Sequence, residues 1–435
     1  MLKFRFSLGP VLALCAVLVT ACGGNNNSSG TASVRVVNAT VTHSSLTFLA
    51  NSAIAGNPTA IDTASDYVGV ASGSPTLQIN DGVTSGALAT LSPSLGGNAH
   101  YVLVAYENGG IVRTTIIAED IAAPAAGNSS LRVFNAATDA GPIDVYVTDP
   151  AADISTSTSP TFTFGSSTVL QTSTFLSLTP GTYRVRVTGA GNPADLRLDI
   201  PSITLVNQQI DSILLTPTTG GTLINGGFLV QQSTYTAARN RSARVRLAAA
   251  VSGGASVSAS SGTTATGVTP IGSAVVSPAV GAYTLVSAGG PLNITVNGAS
   301  VAAPASVPTA GSDTTLLIYG TPGAPTASLI TDDNHLPSIA TNIKLRLING
   351  LTGTAPPPLT LNANFAVIAS NIQPGTASTY GTVTASTSAR LDVFSPASLT
   401  PIYSESALSV PGNAVYTLFM LGDAGTPIHL IQRDR

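Results

Sequence analysis

Ser130-Leu131-Arg132-Val133-Phe134-Asn135-Ala136 decides the fold, because the chain repeats it. Ser33-Val34-Arg35-Val36-Val37-Asn38-Ala39 precedes it. Arg244-Val245-Arg246-Leu247-Ala248-Ala249 and Lys344-Leu345-Arg346-Leu347-Ile348-Asn349-Gly350 follow, at a spacing of roughly 100 residues. Each copy alternates apolar and polar side chains, the period of two expected of a strand with one face in a core and the other in water. On this reading Arg35, Arg132, Arg246 and Arg346 stand on the solvent face. There each pairs across strands with an acid and keeps the sheet from joining others, a role in fold maintenance.

Working outward, every copy continues with an aromatic residue, a turn and another alternating strand. These run from Tyr67 to Ile79, Phe175 to Val187, Tyr283 to Val296 and Tyr380 to Val393. Tyr67, Tyr283 and Tyr380 read as core or corner tyrosines. Each copy then closes with a hairpin-like pair, turning at Glu107-Asn108-Gly109-Gly110, Thr219-Gly220-Gly221, Pro322-Gly323 and Gly422-Asp423-Ala424-Gly425. Short strands, regular turns and no amphipathic helical period predict an all-β chain of tandem β-sandwiches. The expected units are 33–127, 128–240, 241–340 and 341–435.

The N-terminus carries a different pattern. Lys3 and Arg5 precede an uncharged, largely apolar run from Phe6 to Ala21, too short for a comfortable membrane span and typical of an export signal. It ends Leu18-Val19-Thr20-Ala21-Cys22, which resembles the bacterial lipobox. That resemblance implies a signal peptide over 1–21, lipid on Cys22 and a membrane anchor of more than one acyl chain, since one chain holds only marginally. Residues 22–32 read as a flexible Gly/Asn/Ser tether. Gly23 after the cysteine implies, by the same resemblance, the outer membrane, with the periplasmic or surface face left open. The fourth sandwich is then the outer end of a tethered rod.

Only 9 % of the 435 residues are charged, and the formal net charge is −3. No basic stripe offers itself to nucleic acid. After processing, Cys22 is the one thiol, so disulfides are not expected despite an oxidising compartment.

The second unit has a family likeness. Ser130 to Asn135, followed by Asp139-Ala140-Gly141-Pro142-Ile143-Asp144-Val145-Tyr146-Val147 and by Leu178-Thr179-Pro180-Gly181-Thr182-Tyr183-Arg184-Val185-Arg186-Val187, resembles the domain of unknown function 4397. The resemblance is best over 128–240. It implies immunoglobulin-like sandwiches in exported, often lipid-anchored bacterial proteins, and no established activity.

Chemistry is sparse. No Gly-x-Ser-x-Gly nucleophile turn occurs, and His43, His100, His335 and His429 form no His-x-x-x-His pair. Three glutamates and no tryptophan make a sugar-cleaving site with a stacking platform a poor fit. Candidate calcium ligands are Asp139 and Asp144, and Asp332 and Asp333 at the third junction. The competing reading has Asp139 capping a turn, Asp144 on a solvent face, and Asp332-Asp333 in a solvated hinge. The expectation is a lipid-anchored cell-envelope protein with no catalytic site, no cofactor and a structural, spacer or protein-binding role. A carbohydrate-binding or adhesin-type surface module, calcium-stiffened at its junctions, is the alternative.

Overall fold

A computed structural model describes residues 30–167, 169–265, 267–396 and 398–435. The signal segment, Cys22 and most of the expected tether lie outside the described residues. The described chain is all-β, in four successive sets of strands. They run from Thr31–Asn38 to Ile111–Ala118, from Ser129–Asn135 to Tyr235–Ala238, from Ser242–Val251 to Ala324–Asp332, and from Asn342–Thr352 to Ile428–Arg433. Each set makes two packed sheets, eight sheets in all among the described residues.

The topology repeats with the sequence. The opening strand of each unit pairs in parallel with the first strand of its closing hairpin: Thr31–Asn38 with His100–Asn108, Ser129–Asn135 with Ile210–Pro217, Ser242–Val251 with Asp313–Thr321, and Asn342–Thr352 with Ala414–Asp423. A parallel pair needs a long crossover, and the second sheet of each unit supplies it. The closing hairpins are antiparallel, as their Gly-rich turns predict.

Between the two sheets of each unit lies its own core. In the first, Val34 and Val36 meet Leu46, Phe48, Leu77 and Ile79. Leu131 and Val133, Val245 and Leu247, and Leu345 and Leu347 hold the same place in the other three. Asn38 sits on this face too, and its side-chain amide ties the carbonyls of His43 and Thr59 together at 3.1 and 3.2 Å. Asn349 does the same for Pro357 and Ile372.

The outer face of the opening strand differs from expectation. It is covered, not solvated. Val37 and Ala39, with Val102, Val104 and Tyr106, pack against Phe134, Ala136, Leu214 and Leu229 of the second unit. Ala248, Ala250 and Leu317 of the third unit pack likewise on Ile348, Phe419 and Leu421 of the fourth. The first sheets of units one and two lie against each other, and so do those of units three and four. Strands buried on both faces are what parallel pairing in a sheet center usually accompanies.

The expected rod, with the fourth unit outermost, gives way to a folded-back arrangement. The turn at Gly220-Gly221 of the second unit docks where the third and fourth meet. Gly220 donates its N–H to the Gly311 carbonyl at 2.9 Å, and its own carbonyl accepts from Asn334 at 3.0 Å. A Cβ on Gly220 would stand 2.5 Å from the Asp313 nitrogen, and one on Gly221 2.4 Å from that of His335, so close approach requires both glycines, and the positive φ of Gly221 adds a conformational reason there. At the chain end, the Arg435 guanidinium donates to the Gly221 carbonyl and, at 3.1 Å, to Thr222 Oγ1.

Candidate functional site

The four repeated arginines are the centre of the site. Because they alternate with core residues, they point from the opening strand into the seam between paired units. Arg35, Arg246 and Arg346 are buried there, the last two only 1 % exposed. A buried guanidinium needs a carboxylate and a full set of hydrogen-bond acceptors. Arg35 meets Glu119, with Nε 3.1 Å from Oε2, and also donates to the Val230 and Ser233 carbonyls of the second unit.

In the other pair the exchange is reciprocal. Arg246 of the third unit pairs with Asp434 of the fourth, and Arg346 of the fourth pairs with Asp332 of the third. Asp332 also lies 3.7 Å from Arg246, so two cations share two anions. Thr315 and Thr417 hydroxyls accept from Arg246 Nε and Arg346 Nε at 2.8 and 3.0 Å. Burial works against both charges, but the stacked tyrosines, Tyr283 and Tyr380, and the carboxylates outweigh it and hold both guanidinium pKa values above the ordinary one.

The aromatic that follows in every repeat stacks on the same arginine. Tyr67, Phe175, Tyr283 and Tyr380 lie 5.1, 4.7, 4.6 and 4.6 Å from the guanidinium carbons of Arg35, Arg132, Arg246 and Arg346. The tyrosine hydroxyls donate to the acids: Tyr67 to Glu119, Tyr283 to Asp332 at 2.6 Å, and Tyr380 to Asp434 at 3.4 Å. Burial first, and then the neighbouring carboxylates, push the Tyr67 and Tyr283 hydroxyl pKa values well up. These tyrosines are therefore seam residues and not the core or corner tyrosines expected. Three of the four arginines do pair with acids, but buried in a seam instead of at a solvated surface: Arg35 with Glu119 of its own unit, and Arg246 and Arg346 across to the neighbouring one.

The candidate metal ligands disperse. Asp144 is buried and not on a solvent face, accepting from Thr163 Oγ1 at 2.7 Å and the Gly191 N–H at 2.8 Å. Asp332 is fully buried among the arginines, which removes it from the expected solvated hinge. Its neighbour Asp333 is half-exposed and binds Lys344 and His335, both at 2.6 Å. Asp139 lies in the single 3-10 turn among the described residues, Thr138–Ala140, with its carboxylate 3.5 Å from His335 Nε2. Among the described residues no three His, Cys, Asp or Glu side chains gather at metal-binding distance.

His335 thereby bridges units. Its Nδ1 meets Asp333 and its Nε2 meets the Thr218 carbonyl at 3.0 Å, so both ring nitrogens face acceptors. Burial opposes its charge, but Asp333 and Asp139 prevail and raise the pKa above the ordinary histidine value. Burial pushes the Asp139 carboxyl up in turn. Beside this cluster an open groove of about 650 Å³ separates units three and four, lined by Ile330, Asp333, Lys344, Thr376 and Tyr380 among others. Tyr403 and His429 stack at 4.3 Å elsewhere in the fourth unit.

Fold and seam together define a class: a multi-unit, all-β chain whose polar side chains weld its sandwiches in pairs. The family model for "Domain of unknown function (DUF4397)" matches residues 32–146. The match covers the first unit and the opening of the second, ending at Tyr146, rather than centring on 128–240 as the motifs suggested. No curated protein matches the chain. Among the described residues no helix is long and apolar enough to cross a membrane.

Proposed function

We propose that this is a lipid-anchored protein of the bacterial cell envelope, held at the outer membrane through Cys22, with a structural and protein-binding role and no catalytic one. The observation that carries the reading is the use made of its few charges. Arg246, Arg346, Asp332 and Asp434 bond sandwich to sandwich directly, and Arg35 and Glu119, paired within the first unit, together bond the backbone of the second. A chain that invests its buried polar groups in a fixed multi-unit shape suits presentation and spacing. The lipid end follows from the lipobox resemblance of Leu18 to Cys22.

The test is metabolic labelling with palmitate followed by detergent-phase partition. The wild-type chain should take up label and enter the detergent phase, while Cys22→Ser should do neither. A labelled Cys22→Ser chain, or an unlabelled wild type, overturns the anchor. Crosslinking on intact cells then identifies the partner and the membrane face.

A further inference from the structure

Strand register shows where each unit places the acid of its cluster, whether its own arginine takes it, as Arg35 takes Glu119, or the neighbouring unit's does, as in the exchange of Asp332 and Asp434. Arg35 lies beside Val102, and Val102 beside Ile117; two residues on is Glu119. Arg246 leads through Thr315 and Ile330 to Asp332. Arg346 leads through Thr417 and Gln432 to Asp434. By the same path Arg132 leads through Ser212 and Leu229 to Gln231. The second unit has the position and lacks the acid.

Gln231 does not stand in for it. Its side-chain amide is spent on both backbone groups of Ile121, at 3.1 and 2.9 Å. The aromatic has changed in step: Phe175 occupies the tyrosine position and has no hydroxyl to offer a carboxylate. The remainder of the cluster is intact. Arg132 Nε donates to Ser212 Oγ at 3.1 Å, as its counterparts do to Thr315 and Thr417. Its guanidinium lies over Phe134 and Phe175, at 4.6 and 4.7 Å. Among the described residues it makes no ion pair, and its Nη1 donates to nothing. It is also reachable, being only half-buried beside a Phe175 that is 39 % exposed.

We propose that Arg132, with Ser212, Phe134 and Phe175, is a carboxylate-binding site that takes the acidic side chain of an extended peptide segment from a partner protein. The ligand chemistry is read from the three filled copies. In each, the carboxylate comes from the end of a β-strand: Asp332 closes Ala324–Asp332, while Glu119 and Asp434 directly follow Ile111–Ala118 and Ile428–Arg433. An in-plane carboxylate on an arginine edge is the strongest pairing open to that group. The inference rests on the protein-binding part of the reading above and is independent of the lipid.

The test uses the full chain carrying Cys22→Ser, labelled with ¹⁵N-arginine, and two capped tripeptides, Thr-Val-Glu and Thr-Val-Gln. The Arg132 Nε–H resonance should shift saturably with the first peptide and at least about tenfold more weakly with the second, the worth of a charge-assisted bond. Gln231→Glu should supply the missing acid from within, abolish that shift and raise melting by roughly 2–4 °C. Equal response to the two peptides, no response to either, or undiminished binding by Gln231→Glu overturns the site. Anchoring is read separately by the palmitate experiment, so failure of one leaves the other standing.

Discussion

Replacing Asp332 by alanine should uncouple the third and fourth units. The carboxylate is fully buried and holds Arg346, the Tyr283 hydroxyl at 2.6 Å and the Thr315 hydroxyl at 2.7 Å, with Arg246 at 3.7 Å. Without it two buried guanidinium groups face a single carboxylate, Asp434. Removing one partner from a buried ion pair costs about 3–5 kcal/mol, mostly for the charge left behind. For a cooperative pair of sandwiches that loss lowers the melting temperature by roughly 6–20 °C. Calorimetry of the full chain reads it, with Asp333→Ala as the neighbouring control; half-exposed Asp333 should cost no more than about 1 kcal/mol. A double variant, Asp332→Leu with Arg346→Met, should recover much of the loss, since apolar replacement of a buried pair is often close to neutral. The reasoning fails if Asp332→Ala melts within 2 °C of wild type. It also fails if the Asp332 and Arg346 single-variant effects simply add in the cycle.

Three further outcomes follow from the same geometry. His335, with its pKa raised above 6.5, contributes stability that is fully present below pH 6.5 and lost as pH rises through the higher folded value. His335→Gln should therefore melt well below wild type at pH 6 and close to it at pH 9.5; a constant gap would refute the bridge. Asp211 is buried with one carboxylate oxygen unpartnered, and burial pushes its pKa up to about 7 against an ordinary 3.8. A raised acid is tolerated below pH 3.8 and increasingly costly up to pH 7. Asp211→Asn, which keeps an acceptor for Gln209, should accordingly be more stable than wild type at pH 8 and indistinguishable from it at pH 3.5 in urea titrations. Gly350→Val places a Cβ 2.8 Å from Leu421 and 3.0 Å from Ala250 across the seam, and overpacking there should cost about 1–3 kcal/mol in chemical denaturation. An unchanged midpoint would show that the seam is loose.

Much of the fold was legible along the chain. Alternation in Ser130 to Ala136 and its copies marked strands, the Gly-rich turns marked the closing hairpins, and the repeat marked the units. Each rests on local chemistry: a pleated strand sends neighbouring side chains to opposite faces, and tight turns need residues free of a Cβ. The covering of the second face was written more faintly. Two residues after each arginine stands Val37, Phe134, Ala248 or Ile348, and four after it Ala39, Ala136, Ala250 or Gly350, apolar and then small. That pattern suits close approach of another sheet, yet it sits beside an arginine, which alone reads as a solvent residue.

The fate of Arg132 to Ala136 and its copies shows where sequence logic stops. Periodicity states which side chains share a face; it does not state what lies opposite that face. The partner acids of Arg346 and Arg246 come from strand ends in the neighbouring unit, at Asp332 and Asp434, and no local rule links them. Burial decides whether such a charge is solvated or structural, and burial is a property of the assembled units. The strands, turns and repeats were therefore set by neighbours along the chain. The welded seams and the three-unit junction at His335 came from contacts between residues far apart in it.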